Sequence, residues 1–168
     1  MSSFTIRRAR TSDVPAIQEL IEPLVNSRIL LGKDRVVFYE GVQEFRVAEV
    51  ESGQLIGIGA LHVMWEDLGE VRTLAVTQDW LGKGVGHAIL EDIEGTARDL
   101  GLSRLFCLTF ETGFFGRNGF DPIGEAVVAP DVYAQLTLSP DEGVAEFLDL
   151  ARVKQNTLGN TRMIKHLS

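Results

Sequence analysis

Several residue types are scarce in this sequence, and each shortage argues against a class of protein. Cys107 is the only cysteine, so no disulfide can form within the chain. No apolar run reaches the roughly 18 residues of a transmembrane helix, and the N-terminus MSSFTIRRAR lacks the apolar core of a signal peptide. We therefore expect a cytoplasmic protein without a membrane partner. Only 16 basic residues stand against 24 acidic ones, and the net charge of −8 argues against nucleic acid as a partner.

Metal ligands and reactive thiols are scarce as well. The three histidines and the single cysteine are not spaced as metal ligands, so we predict no metal site. His62 stands alone in a predicted strand, where a half-buried structural role is more common than a catalytic one. Cys107 lies in the apolar run LFCLTF, which favours a buried thiol over a nucleophile.

The remaining composition is typical of a globular protein. Hydrophobic residues make up 45% and charged residues 24% of the 168, which is enough to build one sizeable core. The sequence has no repeat, no low-complexity run and no linker, so we predict a single domain over residues 1–168.

The hydrophobic pattern predicts an α+β fold around one mostly antiparallel sheet. Strands are predicted at 4–8, 45–50, 55–65, 71–76, 103–109, 120–128 and 146–150. Helices are predicted after a cap at 11–13, and at 36–45, 89–100, 112–118 and 130–137. The tail at 153–167 is polar in its middle and has little periodicity. Gly57 and Gly59 lie inside a predicted strand and indicate close packing against a neighbouring element.

The most informative stretch, EVRTLAVTQDWLGKGVGHA, spans residues 70–88. A predicted strand leads through Gly82, Gly84 and Gly86 into a predicted helix. Glycines let the backbone approach an anion closely, and the first N–H groups of a helix point at it. No GKS or GKT follows, so this is not a Walker loop, and no acidic residue is placed as in dinucleotide-binding folds. The turn predicts a phosphate site, with a tight strand-to-helix connection as the structural alternative.

The same stretch resembles the acetyl-CoA motif of the GNAT N-acetyltransferases. LAV at 74–76 is followed by Gly84-x-Gly86, and Leu81 stands where that family usually has Arg or Gln. The resemblance implies acetyl-CoA as co-substrate, contacted by Leu74, Ala75, Val76, Leu81, Gly82, Lys83, Gly84, Val85, Gly86, His87 and Phe115. It also implies the GNAT fold, a mostly antiparallel mixed sheet flanked by helices. In that fold strands 71–76 and 105–109 would run parallel and splay apart for the pantetheine arm.

Two further blocks narrow the resemblance. LFCLTFETGFFGRNGF at 105–120 and LGNTRM at 158–163 look like blocks of the amino-acid N-acetyltransferases that make N-acetylglutamate for arginine biosynthesis. GEVRTLAV at 69–76 and LGNTRM also look like the short stand-alone members found in actinobacteria. This implies acetyl transfer to the α-amine of L-glutamate or L-glutamine. Longer members carry an amino-acid-kinase-like domain for arginine control, for which this chain has no room.

Direct transfer requires a base for the amine and a partner for the developing oxyanion. Glu70, at the start of the LAV strand, is the predicted base, acting through a water as in related enzymes; a solvated strand end is the alternative. A backbone N–H near Ala75 or Val76 is the predicted oxyanion partner. Phe114 and Phe115 stand where many family members have a tyrosine acid, so we expect solvent to protonate the thiolate.

The acceptor's carboxylates require cations. Arg72 is in phase with Glu70 on the strand, so we expect it to bind a carboxylate, unless it forms a surface ion pair. The predicted helpers are the cations Lys33 and Arg28 and the hydroxyls of Thr109 and Thr112. Glu111 stands where longer relatives have Arg, which indicates a shift towards glutamine.

Two other functions stay open. An acidic surface attracts cationic amines, so the acceptor could instead be a polyamine, a drug or a protein N-terminus. The same fold could also serve as a non-catalytic acyl-CoA-binding module. The polar tail could mediate a homodimer.

Overall fold

The computed structural model describes residues 3–30, 32–124, 128–148 and 160–168. They form a seven-stranded sheet with the order β1-β2-β3-β4-β5-β7-β6. Its strands are β1 Phe4–Arg8, β2 Phe45–Val50, β3 Leu55–Trp65, β4 Leu68–Val76, β5 Arg104–Thr109, β6 Asp121–Pro122 and β7 Thr161–His166. Its helices are α1 Val14–Asn26, α2 Arg35–Glu40, α3 Val85–Leu100, α4 Thr112–Arg117, α5 Pro130–Leu136 and α6 Glu142–Phe147. Neighbouring strands are antiparallel except β4 and β5, which run parallel.

Helix α3 covers one face of the sheet. Val85, Ile89 and Ile93 are buried there against residues of β2, β3, β4 and β5. A Cβ added to Gly57 or Gly59 of β3 would come within 2.9 Å or 2.7 Å of the Ile89 side chain. The two glycines therefore allow the close packing that the sequence predicted.

Two separate helical patches cover the other face. The α1 patch packs on β2 and β3, and its apolar cluster includes Ala75 of β4. The α6 patch packs on β3, β4 and β5, and its cluster includes Leu68 of β4 and the edge-to-face rings of Phe106 and Phe147. The β4 residues between Leu68 and Ala75 thus lie where the two patches meet.

A bulge interrupts β4 at this point. The β3–β4 register shifts between Ile58 and Ala60, and Thr73 has a φ of 58°. Val71 packs in the cluster of α3, whereas Ala75 packs in the cluster of α1 on the opposite face. Residues four apart on a regular strand share a face, so the extra residue at the bulge reverses the alternation.

Beyond Glu70, strands β4 and β5 separate. They are paired from Leu68 and Arg104 only as far as Glu70 and Phe106. Strand β5 then continues to Thr109 in contact with β7 on its other side. The described strands therefore enclose a wedge-shaped opening between β4 and β5, which is the splayed parallel pair that the family resemblance implied.

Three predicted elements were wrong. The helix at 36–45 ends at Glu40, and a 3-10 turn, Val42–Glu44, precedes β2. The strand at 120–128 shortens to the two residues of β6; residues 125–127 lie outside the described part. The strand at 146–150 is replaced by α6, which the carboxylate of Asp141 caps; residues 149–150 lie outside the described part.

The tail also contains a strand that its sequence did not predict. Strand β7 inserts between β5 and β6 and buries Met163 and Ile164. Its two apolar residues are adjacent, so the strand has no alternating pattern. Pairing on both edges stabilises it instead.

Candidate active site

A cavity of about 560 Å³ occupies the opening between β4 and β5. β4 contributes residues 70–76 and β5 contributes residues 107–109 to its wall. Lys33 lines it from the loop before α2, and Phe114 lines it from α4. The cavity thus joins the polar part of β4 to the N-terminus of α3.

The glycine turn forms one end of this cavity. Gly82 and Gly84 have φ values of 74° and 82°, a region that side chains rarely adopt, and Gly84 caps α3. A Cβ added to Gly86 would lie 3.2 Å from the Phe114 ring. The first turn of α3 therefore presents bare backbone to the cavity, as an anion such as pyrophosphate requires.

The predicted acetyl-CoA residues divide into two groups around this turn. Seven line the cavity: Leu74, Ala75, Val76, Leu81, Gly82, Gly86 and Phe115. The other four, Lys83, Gly84, Val85 and His87, belong to the turn or to the first turn of α3 and are not part of the cavity wall. Lys83 Nζ lies 5.1 Å from the centre of the Trp80 ring, and His87 Nδ1 lies 2.7 Å from Asn118 Oδ1.

The two aromatics of α4 have different environments. Phe115 is buried and packs edge-on against Phe120, with ring centroids 5.1 Å apart. Phe114 is only half-buried and faces both the cavity and Gly86. Phe114 is thus positioned to contact a bound ligand more extensively than Phe115.

The N–H of Val76 faces the open edge of β4. Thr77 donates its N–H to the Ile56 carbonyl on the β3 side, with an N–O distance of 2.9 Å. Successive N–H groups of a strand point to opposite edges, so the Val76 N–H points towards β5. Since β5 has left the ladder at this level, that N–H faces the cavity.

Glu70 and Arg72 form a buried ion pair on β4. The Arg72 Nε and Nη2 groups both donate to Glu70 Oε1, the former at 3.0 Å. The side chain of Arg72 is 9% exposed and that of Glu70 is 8% exposed. Their contact confirms that the two side chains lie on the same face of β4, but it also means that the guanidinium binds Glu70 of its own strand.

Asp141, just before α6, completes the cluster. Its two carboxylate oxygens accept from Arg72 Nη1 at 3.0 Å and Nη2 at 2.8 Å, in a bidentate arrangement. Asp141 Oδ2 also accepts from the N–H of Val144 at 2.9 Å and thereby caps α6. Gly143 lies directly over the ion pair, since a Cβ there would be 2.7 Å from Glu70 Oε1.

The cluster continues to β3. His62 Nδ1 lies 2.8 Å from Glu44 Oε2, and His62 Nε2 lies 3.8 Å from Asp141 Oδ2. His62 is half-buried, as expected for a structural histidine.

Burial and charge shift the pKa values of Arg72 and Asp141 in opposite directions. Burial lowers the pKa of Arg72, but the charge of Glu70 and the bond to Asp141 outweigh it and raise that pKa above its ordinary value. Burial raises the pKa of Asp141, but the hydrogen bond and charge of Arg72 hold it well below its usual range. Arg72 and Asp141 are therefore both charged at neutral pH.

The other predicted acceptor residues are distributed around the cavity. Lys33 lines the cavity and is half-buried; burial and then the charge of Arg72 lower its pKa, against the carboxylates of Glu70 and Asp141. Within the described part of the chain, Lys33 has no ion-pair partner within 4.0 Å. Thr109 also lines the cavity, and its Oγ1 accepts from the N–H of Glu111 at 2.8 Å. Arg28 and Thr112 are exposed and do not form part of the cavity wall.

The sequence reasoning missed Asp141. The run SPDEGVAEF contained a signal, because an aspartate followed three residues later by the first of several apolar residues is typical of a helix start. Its contact with Arg72, 69 positions away, has no counterpart in local sequence.

Cys107 lies in the cavity wall but is 1% exposed, so the predicted buried thiol is confirmed. Burial and then the charge of Glu70 raise the pKa of this thiol, which makes it a poor nucleophile.

Among residues 3–30, 32–124, 128–148 and 160–168, no group of His, Cys, Asp or Glu side chains is arranged to hold a metal ion. None of the helices in this part of the chain combines the length and hydropathy of a membrane span.

This chain is similar in sequence to known acetyltransferases. A model of the acetyltransferase (GNAT) family matches residues 18–120. A relative from Mycobacterium tuberculosis, named amino-acid acetyltransferase, is 53% identical over 161 residues, which are 95% of this chain and 92% of the relative. A Pseudomonas putida protein with the same name is 39% identical over 71% of this chain, which corresponds to 28% of that longer protein.

Solved structures are similar as well. The structure of a Mycobacterium tuberculosis protein in complex with CoA and a ligand abbreviated NLQ has a TM-score of 0.92 and 52% identity, and it covers 98% of this chain and 99% of that one. The N-acetylglutamate synthase of Neisseria gonorrhoeae, complexed with coenzyme A and N-acetyl-glutamate, has a TM-score of 0.78 and 28% identity. That match covers 100% of this chain and 36% of the other.

Proposed function

Because the chain belongs to the acetyltransferase (GNAT) family, we propose that it moves the acetyl group of acetyl-CoA to the α-amine of L-glutamate or L-glutamine, the first step of arginine biosynthesis. The observation that carries this proposal is the buried carboxylate of Glu70 in a cavity that begins at the glycine-rich turn before α3. The amino-acid acetyltransferase name of the 53% identical relative supports the acceptor class. The splayed mixed sheet agrees with the predicted fold.

The residues around the glycine turn fit acetyl-CoA. The bare backbone at Gly82, Gly84 and Gly86 suits the pyrophosphate, and β4 from Leu74 to Val76 lines the path inward. Acetyl-CoA supplies an activated thioester whose carbonyl carbon accepts the amine. Every other step falls to the side chains and backbone of this protein.

Glu70 is the proposed base. An amino acid carries an ammonium group at neutral pH, which must lose a proton before it can attack. Arg72 binds only Oε1 of Glu70 among the described contacts, so Oε2 is the oxygen that accepts this proton, directly or through a water. The N–H of Val76 stabilises the negative charge that develops on the carbonyl oxygen.

Lys33 is the proposed cation for the acceptor's α-carboxylate. Arg72 already gives four hydrogen bonds to Glu70 and Asp141. Arg72 could therefore bind the acceptor's carboxylate only through the second N–H of Nη1, which makes no hydrogen bond in the described part of the chain. Lys33, in contrast, faces the cavity without an ion-pair partner in the described residues, so its ammonium is available to a substrate.

The cytoplasmic location, the single domain over 1–168 and the homodimer remain predictions. So do the roles of Arg28, Thr109 and Thr112.

Thiol release from acetyl-CoA, measured with glutamate, glutamine, spermidine or no acceptor, tests the proposal. We expect release above the no-acceptor rate with glutamate or glutamine but not with spermidine. Release with spermidine alone would favour the cationic-amine alternative. Calorimetric binding of CoA without release for any acceptor would favour the non-catalytic module.

A further inference from the structure

We propose that Asp141 is a positioning residue, which holds the guanidinium of Arg72 so that it binds one oxygen of Glu70 and leaves the other for the amine. This inference rests on the proposed function, because it concerns the basicity of Glu70 in amine acetylation. Asp141 itself is not among the residues that line the cavity, so its action on the reaction would pass through Arg72.

The first argument is the geometry of the guanidinium. An arginine beside a single carboxylate favours a bidentate pair, in which both carboxylate oxygens accept. Here Asp141 takes the Nη1–Nη2 edge of Arg72, and Glu70 receives the Nε–Nη2 edge through Oε1 alone. Without Asp141, the guanidinium would be able to turn and occupy both oxygens of Glu70.

The second argument is that α6 fixes Asp141 in place. The carboxylate caps the helix through the Val144 N–H, and Val144 is 2% exposed. Gly143 follows immediately and packs on the Glu70–Arg72 pair with no room for a Cβ. The helix therefore delivers the carboxylate and covers the ion pair in one short segment.

The third argument is charge. Charged and titratable groups approach Glu70 from every element packed around it. They are Arg72 on β4, Cys107 on β5, Asp141 and Glu146 around α6, His62 and Glu44 beside β3, and Lys33, Glu111 and Arg117 along the cavity. Among these, Arg72 contacts Glu70 directly. Asp141 pairs with another edge of the same guanidinium, so the charge of Arg72 is shared between two carboxylates instead of acting on Glu70 alone.

The variant Asp141→Asn separates this role from the helix cap. Asparagine caps a helix about as well as aspartate, so α6 should persist, but the charge opposite Arg72 is removed. We expect kcat with the preferred amino acid to fall by about tenfold or more, as for an impaired general base, while the KM for acetyl-CoA changes less than twofold. The pH profile of kcat/KM should also differ from that of the wild type, because the negative charge opposite Arg72 is gone.

Two further variants complete the test. Asp141→Ser also provides a cap but is too short to reach the guanidinium, so it should behave like Asp141→Asn even if one of the two folds poorly. Glu142→Gln removes a charge from the adjacent exposed position and should leave kcat and the pH profile unchanged.

Unchanged pH profiles and kcat values in folded Asp141→Asn and Asp141→Ser would overturn the inference while the active wild type upholds the proposed function. A loss of thermal stability with an unchanged pH profile would likewise reduce Asp141 to a structural cap. A wild type that acetylates no amino acid would overturn both proposals.

Discussion

Replacing Arg72 with methionine should destabilise the fold, because the buried carboxylate of Glu70 and the half-buried one of Asp141 would lose their shared cation. Glu70 and Arg72 are less than a tenth exposed, and Asp141 is 23% exposed. Removing one partner of a buried ion pair costs roughly 3–5 kcal/mol of the free energy of unfolding. For a chain of this size the midpoint temperature falls by about 2–4 °C for each kcal/mol. Urea unfolding at pH 7 measures the free energy, and calorimetry measures the midpoint.

The deficit of this variant should depend on pH. The folded-state pKa of Asp141 lies below its usual value, so its pairing stabilises the wild type above the unfolded pKa of about 3.9 and is lost as the pH falls below it. The variant lacks this pairing at every pH. The difference between variant and wild type should therefore shrink as the pH falls below about 4.

Arg98→Met provides a matched control. Arg98 is 43% exposed and lies 3.8 Å from Glu94, so removing its charge should cost less than about 1 kcal/mol. Two results would refute the burial of the Glu70–Arg72–Asp141 cluster. One is that Arg72→Met unfolds at the same urea concentration as the control. The other is that its loss of unfolding free energy does not shrink in acid.

Three substitutions test the roles assigned in the cavity. Glu70→Gln should lower kcat by roughly a hundredfold or more in steady-state assays without raising the KM for acetyl-CoA; a rate within threefold of wild type would exclude Glu70 as the base. Gly86→Asp should abolish CoA binding in calorimetry, because it places a side chain against Phe114 and a negative charge at the start of α3. The control Gly95→Asp, at an open position of the same helix, should bind CoA normally. Normal CoA affinity of a folded Gly86→Asp would refute the phosphate site. Lys33→Met should raise the KM for the amino acid at least tenfold and leave that for acetyl-CoA unchanged; an unchanged amino-acid KM would move the carboxylate to another cation.

Local pattern was sufficient where an apolar run ends at turn residues. The strands Phe4–Arg8, Phe45–Val50 and Leu55–Trp65 have the predicted bounds, and the last two are joined by the predicted turn at 51–54. The strand Thr161–His166 escaped prediction because its stability comes from partners on both edges rather than from its own pattern. Such long-range pairing leaves no periodic trace in the sequence.

In the candidate site, too, the local sequence predicted positions on one strand or turn but not contacts between distant segments. The period of two placed Glu70 and Arg72 on one face, and the glycine turn indicated where an anion could bind. The partner of Arg72 was not predictable, because the segment that carries Asp141 reaches the sheet only through tertiary packing. The bulge at Thr73 was equally invisible, since a β-branched residue is not expected at a positive φ.

The outer edges of the sheet limit how two copies of the chain could assemble. At one end, β6 has two residues, and Pro122 offers no N–H to an incoming strand. At the other end, β1 carries Arg7 and Arg8, and the Arg7 side chain is tied to Asp13 and Glu49. Charge and proline at the edges disfavour the joining of two sheets into one. A homodimer of this protein would therefore form through helix or loop surfaces, and its interface would be sought by substitutions there rather than along the strands.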